Sequence, residues 1–197
     1  MRFVSAALCL VGVTFAQAAS GATIEGTVKA IGLPSGADAV VYIQQVAGTF
    51  AAPATPRTLD QRSMQFSPHV LPVVVGSTVR FLNNDPTPHN VFSPDHEKYN
   101  LGTWPQGQSK DHTFATCARA PCAYVQLCRV HPEMEGYIVV LQNPFFGVTN
   151  ADGRYKIENI PPGNYTVAVW HPKEKAQPKP VTVDAARPTT TDFVLTK

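Results

Sequence analysis

A chain of 197 residues, 44% of them apolar, has the material for one good hydrophobic core or two small ones. Eighteen prolines and thirteen glycines cut it into short Val/Ile/Thr/Tyr/Phe runs, which argues against a helical bundle and for an all-β protein. The formal charge of +2 falls to +1 without Arg2 (fifteen basic against fourteen acidic residues), so no nucleic acid partner is expected: polyanion binding needs a clustered basic surface.

The first element in chain order is Arg2, an apolar run from Phe3 to Phe15, and the small-x-small pattern Ala16-Gln17-Ala18 before Ala19. This reads as a secretory signal over residues 1–18, cleaved on export to the periplasm or the exterior. The apolar run is well short of the ~20 residues that cross a bilayer, so no stable membrane insertion is expected after cleavage. Leu8 precedes Cys9 where a lipoprotein signal would want a small residue, so no lipid anchor is expected. Cleavage leaves Cys117, Cys122 and Cys128, an odd number for an oxidising compartment, in which a spare thiol must be paired, ligated or used.

Period-two runs bounded by turn residues predict strands over 23–31, 39–45, 70–75, 78–83, 90–92, 110–116, 123–127, 136–142, 145–149, 154–157, 164–170 and 190–195. The Ala/Pro/Thr-rich stretch 46–58 reads as a loop or linker. Asn150-Ala151-Asp152-Gly153 predicts a hairpin joining 145–149 to 154–157, because Asp-Gly tolerates the positive φ of a tight turn. Pro161-Pro162-Gly163-Asn164 predicts a second turn, with Pro presetting φ and Gly in the left-handed position.

Val148-Thr149-Asn150-Ala151-Asp152-Gly153-Arg154-Tyr155 and Pro161-Pro162-Gly163-Asn164-Tyr165-Thr166-Val167 together resemble the carboxypeptidase regulatory-like (transthyretin-like) β-sandwich. That family opens with a strand pair of the kind seen in Glu25-Gly26-Thr27-Val28 and Ala39-Val40-Val41-Tyr42-Ile43, here far upstream. The resemblance implies one small Ig-like sandwich made from residues 20–48 and 144–197, with a second domain, residues 59–143, inserted between. A sequential arrangement, with 20–48 as edge strands of the middle domain, is the other topology the sequence allows.

The middle segment contains Cys128-Arg129-Val130-His131-Pro132-Glu133-Met134, a C-x2-H-x2-M loop between two strand candidates. One such loop brings three donors to a point, and a thioether beside thiol and imidazole favours copper over zinc. His89, in Pro88-His89-Asn90-Val91 at the start of another strand, supplies a fourth. The two motifs resemble the cupredoxins: the first is similar to the first-ligand segment of plastocyanin, the second to the short ligand loop of amicyanin.

The resemblance implies a Greek-key β-sandwich holding one type 1 (blue) copper, with Cys128, His89 and His131 in a trigonal plane and Met134 axial. It implies that Asn90 ties the two ligand loops together, and that His131 reaches a surface made apolar by Pro86, Pro88 and Pro132. Cys117 and Cys122, spaced C-x4-C, would oxidise to each other and pin the tip of a hairpin, which leaves Cys128 for copper. The rival use of these atoms is a zinc site from Cys117, Cys122, Cys128 and His131. Of the remaining histidines, His69 reads as a structural strand residue, His96 and His112 as solvated, with a weak second-metal option at His96, and His171 as a packing residue.

The function these readings imply is one-electron transfer with a redox protein such as a c-type cytochrome or periplasmic oxidoreductase. No enzyme is expected, since the chain has no His-x-His pair of the kind that multicopper oxidases use. The alternative is copper capture or delivery, or an adaptor whose second sandwich docks to a partner or glycan.

Overall fold

The computed structural model describes residues 21–197; the signal expected at residues 1–18 lies outside the described residues. Two strands come first, β1 (Ala22–Ala30) and β2 (Val40–Ile43). The middle of the chain supplies β3 (Arg57–Arg62), β4 (Gln65–Ser67), β5 (Val70–Val74), β6 (Thr78–Asn83), β7 (His89–Ser93), β8 (Tyr99–Trp104), β9 (Ser109–Thr113), β10 (Cys122–Leu127) and β11 (Glu135–Leu141). The last part supplies β12 (Phe146–Val148), β13 (Arg154–Ile160), β14 (Gly163–Trp170), β15 (Lys179–Val183), β16 (Thr189–Thr190) and β17 (Phe193–Leu195).

The middle strands form two sheets, a five-stranded one ordered β5-β11-β10-β7-β8 and a four-stranded one ordered β4-β3-β6-β9. The other strands form a second sandwich with sheets β12-β2-β14-β15 and β13-β1-β16, where β17 also pairs with β1. Among the described residues, every ladder of β1 and β2 is made with a strand that follows residue 143. The chain therefore does not use residues 22–43 as edge strands of the middle sandwich.

Period-two alternation explains most of these strands. In β10 it buries Cys122, Tyr124 and Gln126, and the same parity carried one step past the strand end turns Cys128 inward. Three strands break the alternation because both their faces are covered. In β2, Val41 and Ile43 face the core of their own sandwich, while Val40 and Tyr42 join a separate apolar cluster with Val70, Val139, Leu141 and Ala168. In β11, Ile138 and Val140 belong to the middle core, whereas Val139 and Leu141 belong to that shared cluster. Sheet β5-β11-β10-β7-β8 thus packs its outer face on sheet β12-β2-β14-β15. Burial on both faces is why Val-Val-Tyr-Ile and Val-Leu-Pro-Val-Val carry no alternating polar residue.

The structure corrects several expectations. Strands β3, β4, β8 and β15 were not expected; three of them are sheet edges, and Arg57–Arg62 buries only Leu59 and Gln61, so their apolar signal is thin. The loop expected at 46–58 ends at Arg57, where β3 begins. Asn150–Gly153 does close a turn, with Gly153 N–H donating to Asn150 O at 2.9 Å and Gly153 at φ 74°. The strands it joins nevertheless lie in opposite sheets, β12 against β2 and β13 against β1, so it is a crossover and not a hairpin. Glycine is required there for a second reason: a Cβ would sit 2.3 Å from Val28 O. Gly163, expected in a left-handed turn, is nearly extended at φ 159° and opens β14.

Cys117 and Cys122 form a disulfide with Cα atoms 5.8 Å apart. It does not pin a hairpin tip, because β9 pairs with β6 and β10 with β11 and β7; the bridged loop crosses from one sheet to the other. Replacing both cysteines with serine is expected to lower stability by about 2 kcal/mol, the loop-closure contribution of so short a ring. Urea unfolding of oxidised and doubly substituted protein measures this, and the visible copper absorption should survive the substitution.

Candidate metal centre

The donors converge at one end of the middle sandwich. His89 is the first residue of β7, Cys128 follows β10 directly, and the loop from Cys128 to Met134 leads into β11. A bond from Met134 N–H to His131 O (3.0 Å) closes that loop into a turn. His89 is fully buried, Cys128 and Met134 are 3% and 1% exposed, and His131 is half-buried. Cys128 and Met134 belong to the middle core with Phe81, Trp104 and Phe114, so the polar donors sit against packed apolar side chains.

The ligand atoms of His89, Cys128 and His131 all lie within 4.8 Å of one another. His89 Nδ1 is 3.0 Å from His131 Nδ1 and 3.9 Å from Cys128 Sγ. Asn90 links the two ligand segments: its N–H donates to Cys128 Sγ (3.4 Å), and Arg129 N–H donates to its Oδ1 (3.4 Å). Its Nδ2 is spent on Asn100 Oδ1 and Gly102 O, which fixes the amide on β8.

A residue that sequence reasoning missed completes the arrangement. Asp85, 5% exposed, accepts from His89 Nε2 at 2.8 Å through Oδ2. Ser63 N–H and Met64 N–H also donate to this carboxylate, at 2.5 and 2.8 Å. Burial works to raise its pKa, but the bonds from Met64 N–H, His89 and Ser63 N–H outweigh that and hold Asp85 below the usual carboxylate range. With Nε2 committed to Asp85, Nδ1 is the His89 ring nitrogen left to face the site. The available signal was an Asp four residues before the ligand histidine in a loop stiffened by Pro86 and Pro88.

These donors fit copper. Two imidazole nitrogens facing each other at 3.0 Å need a cation or a shared proton between them. A buried thiol beside them and a buried thioether on the same loop form a soft donor set that suits copper. The rival zinc set is excluded by the disulfide, which consumes Cys117 and Cys122 and leaves Cys128 as the free cysteine among the described residues.

The other histidines lie outside this cluster. His69 stands edge-on to Tyr137, with ring centroids 5.6 Å apart, and His96 is exposed over Tyr124. His112 is not solvated as expected: it stacks on Tyr99 at 3.9 Å and lies 3.4 Å from Glu97. His171 is half-buried and accepts the N–H groups of Lys173 and Glu174 through Nδ1; burial lowers its pKa.

Two family models match the chain. The family described as "Copper binding proteins, plastocyanin/azurin family" matches residues 54–141, and the "Carboxypeptidase regulatory-like domain" matches residues 134–196. No curated protein matches the chain. Among solved structures, a mutant of amicyanin in the Cu(I) state is 26% identical over 43% of this chain and 81% of its own, with a TM-score of 0.38. A purple cupredoxin from Nitrosopumilus maritimus is 25% identical over 43% of this chain and 98% of its own, at a TM-score of 0.37. A Cu-containing nitrite reductase from Thermus scotoductus is 25% identical over 57% of this chain and 28% of its own, at a TM-score of 0.40. The chain thus joins a domain that matches the plastocyanin/azurin family of copper-binding proteins to one that matches the carboxypeptidase regulatory-like family, with His89, Cys128, His131 and Met134 as the candidate copper ligands of the first.

Proposed function

We propose that this protein is an exported one-electron carrier that exchanges electrons through the edge of His131. The observation that carries this reading is the contrast in burial within one donor set: His89, Cys128 and Met134 are buried, while His131 alone is half-exposed. Copper held by these residues supplies a reversible Cu(I)/Cu(II) couple. The chain's own contribution is to hold the donors still. His89 is fixed by Asp85, Cys128 by the Asn90 N–H, and the ligand loop by its internal turn, so little rearrangement accompanies a change of charge.

On the loops that carry His89 and His131, Pro86, Pro88 and Pro132 are exposed and Val130 is 48% exposed, beside the exposed charges of Arg129 and Glu133. Such a rim suits brief docking of small area against a redox protein such as a c-type cytochrome. Delivery of copper to another protein fits less well, because release would have to open a packed core around Cys128 and Met134. The sequence has no His-x-His pair for a second copper cluster, so the reading is of a carrier and not an enzyme.

The test is reversible one-electron voltammetry of the copper-loaded mature protein, followed by stopped-flow mixing of its Cu(I) form with an oxidised c-type cytochrome. Rapid reoxidation with copper retained is expected. Transfer of copper itself to an acceptor protein on the same timescale would replace the carrier by a delivery protein. Cell fractionation and mass analysis of the amino terminus check export, with a mature chain beginning at Ala19 expected.

A further inference from the structure

We infer that Asp85 is a charged positioning residue that biases the copper toward the oxidised state, and that the β3–β4 hairpin turn exists to hold it. The inference rests on the copper site and not on the identity of any redox partner.

The turn between β3 and β4 is two residues long, with Arg62 opposite Gln65 and both central residues, Ser63 and Met64, at positive φ (53° and 55°). This is the twist-matched hairpin geometry that Asn and Gly usually supply. Neither residue here is of that kind, and serine and methionine rarely adopt it. Their two amides both point at the Asp85 carboxylate. Asp85 is anchored from its own side as well, since its N–H donates to Asn83 Oδ1, and Asn83 Nδ2 donates to Thr87 O and Trp104 O. A buried carboxylate gripped by two amides and one imidazole N–H is a fixed negative charge.

Its consequence follows from charge counting. With the Cys128 thiolate and Asp85 both ionised, the buried site is neutral around Cu(II) and carries one net negative charge around Cu(I). In a low-dielectric interior the neutral state is favoured. The charge-assisted bond also pulls the Nε2 proton toward Asp85 and makes His89 Nδ1 a stronger donor, which again favours the more highly charged ion.

The decisive variant is Asp85→Asn, similar in shape and without charge. Outer partners of ligand histidines are worth ten- to hundredfold in metal affinity. Cu(II) affinity should therefore fall by that factor relative to Cu(I), which converts to a rise in potential of roughly 59–118 mV at about 59 mV per tenfold for one electron. The visible band should persist. A potential within a threefold affinity ratio of the parent, with the band intact, overturns the inference.

A second measurement uses the unaltered protein and so does not depend on the variant folding. In the diamagnetic Cu(I) form the His89 Nε2 proton should resonate far downfield and exchange slowly with water, unlike that of His131. Rapid exchange, or a shift typical of a neutral acceptor, overturns the inference even if the variant loses copper. A parent protein without the blue band would refute the copper site itself, a result distinct from either.

Discussion

Cys128→Ser abolishes the visible absorption of the Cu(II)-loaded protein and lowers its copper affinity by more than the hundredfold that loss of an outer partner costs. The band is a charge transfer from a thiolate sulfur to Cu(II), and a serine hydroxyl offers neither the polarisable sulfur nor an accessible anion. The disulfide leaves no substitute among the described residues, because Cys117 and Cys122 are bonded to each other at the start of β10 while Cys128 lies beyond its end. The fold should survive. Serine is slightly smaller than cysteine, and the Asn90 N–H that now donates to Sγ at 3.4 Å remains to satisfy the new oxygen. Optical titration with Cu(II) and circular dichroism of the metal-free variant measure the two effects separately. A variant that keeps the band, or a colourless parent that takes up zinc stoichiometrically, would sink the assignment.

The copper site was legible because its chemistry is local. Cys128, His131 and Met134 sit on one short loop, and period-two parity along β10 alone turns Cys128 inward. Asp85 was not legible, since its role depends on amides contributed by Ser63 and Met64, brought to it by β3 pairing in parallel with β6. A lone Asp in a Pro-rich loop has a solvated reading in the sequence; only the ladder shows that it is buried. The all-β class was likewise plain from composition, while β4, β8 and β15 were missed because sheet edges need little apolar sequence.

The turn at Asn150–Gly153 shows a different limit. Local chemistry called for a positive φ at Gly153, and that formed, but the sheet that the next strand joins is decided by where its apolar face finds cover. Tyr155 and Ile157 of β13 are buried with Ile24 and Val28 of β1, so the chain crosses the sandwich instead of folding back on β12. The uniformly apolar runs of β2 and β5 carried information of the same kind: a strand without alternation has neighbours on both faces.

That double burial makes the seam between the sandwiches the second place where one substitution has a large effect. Leu141, 1% exposed at the end of β11, packs in the shared cluster with Val40, Tyr42, Val70, Val139 and Ala168, and Tyr137 and Trp170 close the same cluster with ring centroids 5.4 Å apart. Leu141→Ala removes buried methyl groups from a site where neither rigid sheet can collapse inward, a change that costs about 2–5 kcal/mol. For a chain of this size that lowers the melting temperature by roughly 4–20 °C. Because β11 begins directly after Met134, the ligand loop is tied to the same strand that builds the seam. The blue absorption, which reports the copper end, and the fluorescence of Trp170 in a Trp104→Phe background, which reports the seam, should therefore be lost together on heating, with Leu141 intact and with it replaced. Two separate transitions in the parent would show that the sandwiches unfold independently. A shift of less than about 1 kcal/mol in the variant would show that the seam is not a packed core.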